Sequence, residues 1–520
     1  MAKELFVIAV GGTGMRCLES FVHLCAVGMF DDCEINILTI DTDQSNGNKS
    51  RTENLIKIYN EIRGNHKISK DCFFTAKLNL HAYTPNYAKD GRRTFTALCD
   101  TSSRRTIDNK ELADLFFDSN SHQKLDLTHG YRAQTHLGTF LLYHSLLESI
   151  IQVQKDEEKC LENDKVIHKY FEEINKSTTG SSKKVFVFGS IFGGTGASAI
   201  PIIPKVVEKA GSLKTLGTPT EIFYGATILS NYFEFKAPSD DQKRKDVIVA
   251  DSHFFPLNSH AALQFYANDA TIKKKYNALY QLGWPKKRLR VGSEQKTITG
   301  GKDQKNDSHI LELFAAFAAH HFFESKQEAG GETKYLHKEV QDIDKFTFRD
   351  LSGEKYYIAF EKKITALFAI GILLLVTEEG LESDENGINS LIEKLKGKVL
   401  KPNFFVEDEQ LRQIHKYFKL FLFDADTNTL LPGWLYQIKE SVGDGSKFLF
   451  KDEVFIRDGD GMDIIVRLLP QLKRPWWMMV SDPFDTFITE LLKAKPDDET
   501  SQLGTLLKIL YNTTIKLQNP

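Results

Sequence analysis

Among 520 residues there are six cysteines, and no two of them form a CxxC pair. Cys17, Cys25, Cys33, Cys72, Cys99 and Cys160 also lack zinc-ligand spacing, so they read as reduced packing thiols of a cytosolic, cytoplasmic chain. Long apolar runs are missing too. The longest, Ile364 to Val376, is about two-thirds of a membrane span and is flanked by Lys362, Lys363, Glu378 and Glu379. A buried helix is the expectation there, with no membrane partner. Charge of one sign is absent: 67 basic residues face 70 acidic ones, a net of −3, so no overall basic field attracts nucleic acid. There is no GxxxxGK[ST] loop, no Ser–His–Asp set and no metal-ligand constellation. The adjacent His320 and His321 would point to different helix faces. Beyond one paired motif, no repeat or low-complexity tract stands out. At 41% hydrophobic residues, the chain can build ordinary globular cores.

That paired motif is GGTG between a strand and a helix. Leu5 to Val10 reads as a strand rather than a secretory signal, and Gly11 to Gly14 follow it. Met15 to Met29 has helical spacing, and Ile35 to Ile40 is a second strand ending in the loop "DTDQSNGN". This is a βαβ unit and implies a parallel sheet. Val185 to Phe188 is another strand entering Gly193 to Gly196, followed by the apolar helical run "ASAIPIIPKVVEKAG". Residues 50 to 125 read as polar surface helices and loops. A helix starts near Gly138, Glu221 to Leu229 and Tyr276 to Leu282 read as strands, and Ala262 to Ala267 reads as a short helix. Ser308 to Phe323 is a long apolar helix, and "EAGGETK" marks a boundary near residue 330. The last third is mainly helical.

Backbone N–H groups at a helix start bind phosphate, and glycine lets that backbone approach closely. Thr13 and Thr195 add hydroxyls or cap the helices they precede. Each GGTG alone also reads as a tight strand–helix turn. The first is a poor dinucleotide fingerprint, because Cys17 stands where its third Gly or Ala belongs. Asp41, at the end of the second strand, could hold a ribose hydroxyl. Two such loops on one parallel sheet suit a polyphosphate.

Here the chain resembles the tubulin superfamily, nearest to the bacterial cell-division tubulin (FtsZ) and divergent prokaryotic tubulin-like proteins. The family's GGGTG[ST]G signature stands as Phe192-Gly193-Gly194-Thr195-Gly196-Ala197-Ser198. Gly11 to Gly14 resembles the first phosphate loop, and "IDTD", with Asp41 and Asp43, the loop after the second strand. Gly130 and Gly138 keep the spacing of the third loop. Glu234, in "NYFEF", matches the acid that meets the ribose, and Asn306 and Asp307 match the pair facing guanine. Arg132 has no simple family counterpart and reads equally as a phosphate or subunit contact and as a surface residue.

The resemblance covers roughly residues 3 to 325. It implies an α/β, Rossmann-like GTP-binding domain over residues 1–328, including the central helix at about 308–323. A divergent, mostly helical domain follows over 329–520. It further implies GTP or GDP with Mg2+, head-to-tail self-assembly, and slow hydrolysis completed by acids of a neighbouring subunit. Divergent members often sit in bacterial gene clusters suggestive of phage defence or stress response. The family's NxDxx[DE] acids have no clean copy here. Asp350 and Glu354, four apart, would share a helix face, but they also read as a solvated surface pair. "KRPWWMMVSDPF", Lys473 to Phe484, reads as core or as a partner surface for an effector protein. Three alternatives stay open: an NAD(P)-dependent oxidoreductase, a non-hydrolysing nucleotide-binding scaffold, and a sensor whose helical third recruits an effector.

Overall fold

A computed structural model describes residues 3–43, 45–64, 70–85, 94–95, 107–176, 182–212, 221–233, 249–284, 301–302, 304, 308–328, 330–337, 347–351, 354–375, 386–422, 433–442, 445–450, 468–472, 483–495 and 501–518. Its centre is a seven-stranded sheet. The strands are β1 (Lys3–Val10), β2 (Cys33–Ile40), β3 (Lys77–Tyr83), β4 (Lys183–Phe188), β5 (Ile222–Leu229), β6 (Tyr276–Leu282) and β7 (Lys334–His337). They lie in the order β3-β2-β1-β4-β5-β6-β7, and every pairing is parallel. The near-continuous apolar runs of β1, β2 and β4 fit this, because a central parallel strand is covered on both faces. Along β1, Leu5, Val7 and Ala9 enter one core while Phe6, Ile8 and Val10 enter the other. The fold class is thus α/β, consistent with a Rossmann-like domain.

The helices are α1 (Gly11–Ala26), α2 (Gly47–Arg63), α3 (Ile107–Phe116), α4 (Thr135–Lys155), α5 (Glu162–Asn175), α6 (Gly194–Ala199), α7 (Ile203–Ser212), α8 (Phe255–Asn268), α9 (Ala270–Lys275) and α10 (Ile310–Glu324). Then come α11 (Glu354–Leu375), α12 (Asn386–Leu395), α13 (Asp408–Leu422), α14 (Pro483–Leu491) and α15 (Gln502–Gln518), with a hairpin of β8 (Lys439–Val442) and β9 (Gly445–Phe448). Helices α1, α2 and α10 cover one face of the sheet; α4, α5 and α7 pack on the other. Several elements differ from the sequence reading. The stretch that reads as surface helices and loops holds a helix, α2, but also the sheet strand β3. That strand alternates apolar and polar residues, as an edge position tolerates. Helix α4 starts three residues before Gly138, α8 extends well beyond Ala262–Ala267, and α15 carries no earlier expectation.

The later helices join the α1 side. Helix α13 packs on α2, and α11 packs on α13 and α15. The Tyr417 hydroxyl and His23 Nδ1 are 3.0 Å apart, and Trp434 Nε1 donates to Ser20 Oγ at 3.1 Å. One apolar core therefore runs from Leu5 to Leu517, straight through the expected boundary at residue 328. Most of "KRPWWMMVSDPF" lies outside the described residues. Among the described residues no helix is long and apolar enough to cross a membrane. Nor does any group of three or more His, Cys, Asp or Glu form a metal cluster among them. His320 and His321 diverge as expected: one meets Met29 O at 3.3 Å, the other the Tyr280 hydroxyl at 2.7 Å.

Candidate functional site

Strand order reverses between β1 and β4: the chain steps outward one way through β2 and β3, and the other way through β5 to β7. Ligand crevices in open α/β sheets form at the carboxyl ends of strands at such a point. Both glycine loops leave there, one from β1 and one from β4. They converge on a single cavity of about 300 Å³. Gly11, Gly12, Thr13, Gly193, Gly194, Thr195 and Gly196 line it, with Asp41 and Asp43 from the end of β2 and Gly130 and Arg132 from the loop before α4. Thus eleven of the residues singled out from sequence, scattered over more than 180 positions, meet in one place.

The glycines divide by task. A Cβ on Gly14 would lie 2.6 Å from Phe188 O, so this glycine seats α1 against β4 and does not line the cavity. Gly11 has φ +69°, a left-handed backbone that side chains rarely adopt. A Cβ on Gly194 would meet Ala133 N at 2.9 Å, so the second loop packs directly on the third. A Cβ on Gly193, by contrast, has only Ser190 Oγ, at 3.5 Å, within reach. The first turn of α1 carries no side-chain cap, which leaves its amides turned to the cavity end without one. Next to Gly130, at φ +78°, Arg132 and Ala133 are held at φ +47° and +65°. Two successive left-handed non-glycine residues store roughly 1–3 kcal/mol each, the kind of strain that clusters at ligand sites.

The β2 side of the cavity is acidic. Asp41 Oδ1 accepts from Asp43 N at 3.1 Å, and Oδ2 accepts from Asn46 Nδ2 at 2.6 Å. Burial pushes the Asp41 carboxyl up to about 7, aided by the Asp43 charge and opposed by the Asp43 backbone bond. Asp43 accepts from Ser45 N and Oγ through one oxygen and from Gly301 N, at 2.7 Å, through the other. Gly47 N in turn donates to Gly301 O at 3.1 Å, so a distant segment straps the β2 loop. One wall thus offers carboxylates and an amide, the other backbone N–H groups of two glycine loops, with the Arg132 side chain in the lining. That combination takes an anionic group at one end and hydroxyls or a cation at the other.

Other expected residues stand elsewhere. Gly138 is behind the cavity, where a Cβ would collide with Ser198 Oγ and Tyr131. Ala197 is buried, and its carbonyl accepts from the Tyr266 hydroxyl at 3.0 Å. Asp350 sits in a 3-10 turn, Phe348–Asp350, where its carboxylate accepts from Thr347 N and Oγ1 at 2.8 and 2.9 Å. Glu354 opens α11, so the two acids do not share one helix. Asp350 does not line the cavity, and the Glu354 side chain lies outside the described ones. Glu234, Asn306 and Asp307 lie outside the described residues. Phe192, at the head of the second glycine motif, lines the cavity too, as do Asn46, Tyr131, Ala133, Ser190, Ala250, Phe255, Gly301 and Gln304, which were not singled out for it. Asn46 had a signal: an Asn just ahead of a helix, where it caps Asn48 N and Lys49 N. No protein-family model matches the chain, and no curated protein matches it.

Proposed function

We propose that this cavity binds a guanine nucleotide. The observation that carries the reading is the convergence of both glycine loops at the β1/β4 reversal. The residues present fit such a ligand. The α1 amides and the Gly193–Gly196 backbone can take phosphate oxygens, and a side chain at Gly193 would enter the space they face. Asp41 and Asp43 suit a ribose hydroxyl, or a Mg2+ ion held jointly with phosphate. Mg2+ would supply neutralising charge there. The choice of guanine rests on the resemblance of Asn306 and Asp307 alone.

By the same resemblance, nucleotide-dependent head-to-tail assembly follows, with slow hydrolysis completed by an adjoining copy. A second reading, a nucleotide-binding scaffold without hydrolysis, is favoured by Asp350, whose carboxylate is committed to the Thr347 cap. Identification of the co-purifying nucleotide by HPLC and mass spectrometry, followed by calorimetry with GTP, ATP and NADH, tests the first step. GTP or GDP is expected. Binding of NADH with none of GTP would overturn the reading in favour of an oxidoreductase. Light scattering with GTP and with GDP then separates the assembling protein from the scaffold.

A further inference from the structure

Neighbouring glycines of the first loop face different company. Gly11 faces the second loop, where a Cβ would lie 3.3 Å from Thr195 Cβ. Gly12 faces two carboxamides instead: a Cβ there would lie 2.9 Å from Gln304 Oε1 and 3.0 Å from Asn46 Nδ2. Both side chains line the cavity, and Asn46 stands beside Asp41. This end of the cavity is thus built from side chains, where the other end is built from backbone amides.

The two carboxamides are held differently. Asn46 Oδ1 accepts from Asn48 N at 2.9 Å and from Lys49 N at 3.3 Å, so the start of α2 takes up its acceptor and fixes its orientation. Its Nδ2 therefore points the other way, with one hydrogen on Asp41 Oδ2 and a second that no described residue accepts. Gln304 is placed by its backbone. Gly301 N donates to Asp43, Gly47 N donates to Gly301 O, and Gln304 N closes a turn on Gly301 O at 3.1 Å. A Cβ on Gly47 would lie 2.5 Å from Lys302 O, so this turn sits directly on the start of α2. Among the described residues nothing hydrogen-bonds the Gln304 carboxamide, although the backbone that carries it is tied down on two sides.

A donor fixed toward the cavity, a carboxyl beside it and an uncommitted carboxamide have a definite complement. A cation would use the acceptors alone and would meet the Asn46 N–H with the wrong polarity. A hydroxyl both donates and accepts. Two adjacent hydroxyls use every group: their O–H bonds point at Asp41 and Gln304 Oε1, and their lone pairs take the N–H of Asn46 and of Gln304. We propose that Asn46 and Gln304 are specificity-determining residues that, with Asp41, read the vicinal diol of a ribose. The inference rests on the nucleotide reading and deepens it: the site takes ribonucleotides and rejects deoxyribonucleotides, whatever the base. A site built around hydroxyls discriminates against a ligand that lacks them, because its own polar groups are then left unpaired.

Calorimetry of the full chain with GTP, 2′-deoxy-GTP and 2′,3′-dideoxy-GTP, each with and without Mg2+, tests this, and the same series on adenine covers the other purine. The wild-type chain should bind the ribonucleotide about tenfold or more tightly than the dideoxy form, with the 2′-deoxy form between them. Gln304→Met keeps the length of the side chain and removes both polar atoms. It should shrink that ratio severalfold by weakening the ribonucleotide alone, with the melting temperature unchanged. Asn46→Asp keeps a capping oxygen for α2 but puts an acceptor where the fixed donor stood. It too should weaken the ribonucleotide more than the dideoxy form. If it instead strengthens Mg2+-dependent binding of both, a cation occupies this end and the inference is overturned. Equal wild-type affinity for the ribonucleotide and its dideoxy form also overturns it, while the nucleotide reading stands. Binding of no nucleotide in either series removes the nucleotide reading itself, and this inference with it.

Discussion

At the residue scale, the glycine loops separate ligand space from packing space. Gly193→Val places its side chain in the cavity, so GTP binding should be lost in calorimetry while stability stays within about 0.5 kcal/mol. Gly194→Val pushes against Ala133 and Tyr131, and should cost about 1–3 kcal/mol in denaturant unfolding as well as binding. Asp41 supplies a pH test. Its folded-state value of about 7 lies above the unfolded value of about 3.9, so the folded chain holds the extra proton. Its contribution is therefore full below about pH 3.9 and lost as pH rises through about 7. Stability should fall by roughly 1 kcal/mol from pH 6.5 to 8, and Asp41→Asn should flatten that slope in thermal melts. Much of the cavity lining was legible in sequence, because two glycine loops and an aspartate stand at the carboxyl ends of strands of one parallel sheet. Ser190 and Gln304 were not. Ser190 is placed by its bridge to Leu229 of β5, and Gln304 by the segment whose Gly301 N meets Asp43 across more than 250 residues.

At the element scale, the start of α10 is fixed to α1 by buried charge. Arg16 lies 2.5 Å from Glu312, whose carboxylate also accepts from the Tyr232 hydroxyl at 2.6 Å and from His309 N at 3.0 Å. Burial raises the Glu312 carboxyl against the pull of the Arg16 guanidinium. Removing one partner strands the other charge. Arg16→Met or Glu312→Leu should each cost about 3–5 kcal/mol in denaturant unfolding, while the double replacement should cost less than either. Neither residue drew notice in the sequence, because charged positions inside an apolar helix reveal their partners only once the helices are packed. Strand β3 escaped for a related reason. "KLNLHAY" is half polar, and its strand character comes from pairing with β2. The strands of unbroken apolar sequence, β1 and β4, were found nearly to their ends.

For the whole molecule, the shared core bears on how the chain divides. Periodicity showed which helix faces were apolar but not what covers them, so the helical last third read as a separate domain. Since α11, α13 and α15 complete the core over α1 and α2, a chain ending at residue 328 should expose that face. It should bind a hydrophobic dye and melt without a sharp transition; a cooperative, dye-silent fragment would show two independent units. Acid should unfold the intact chain. Burial holds His23 and His309 at about 3 and His320 at about 4, below the unfolded value of about 6.5. Their stabilisation is complete above about pH 6.5 and is lost as pH falls toward those values. The loss approaches about 1.4 kcal/mol per unit for each. These three, joined by His81, which burial also holds at about 4, oppose the raised carboxyls of Asp41, Glu312 and Glu361, and melting temperature should drop from pH 6 to 5.

The packing of α13 on α2 also has a consequence in time. On the ribosome, α13 is made roughly 350 residues after α2, a delay of about 20–70 s at about 5–20 residues per second. For that interval the face of α2 that α13 covers has no cover of its own. Nascent chains halted before α13 should therefore be held by chaperones, and release should follow once α13 has emerged.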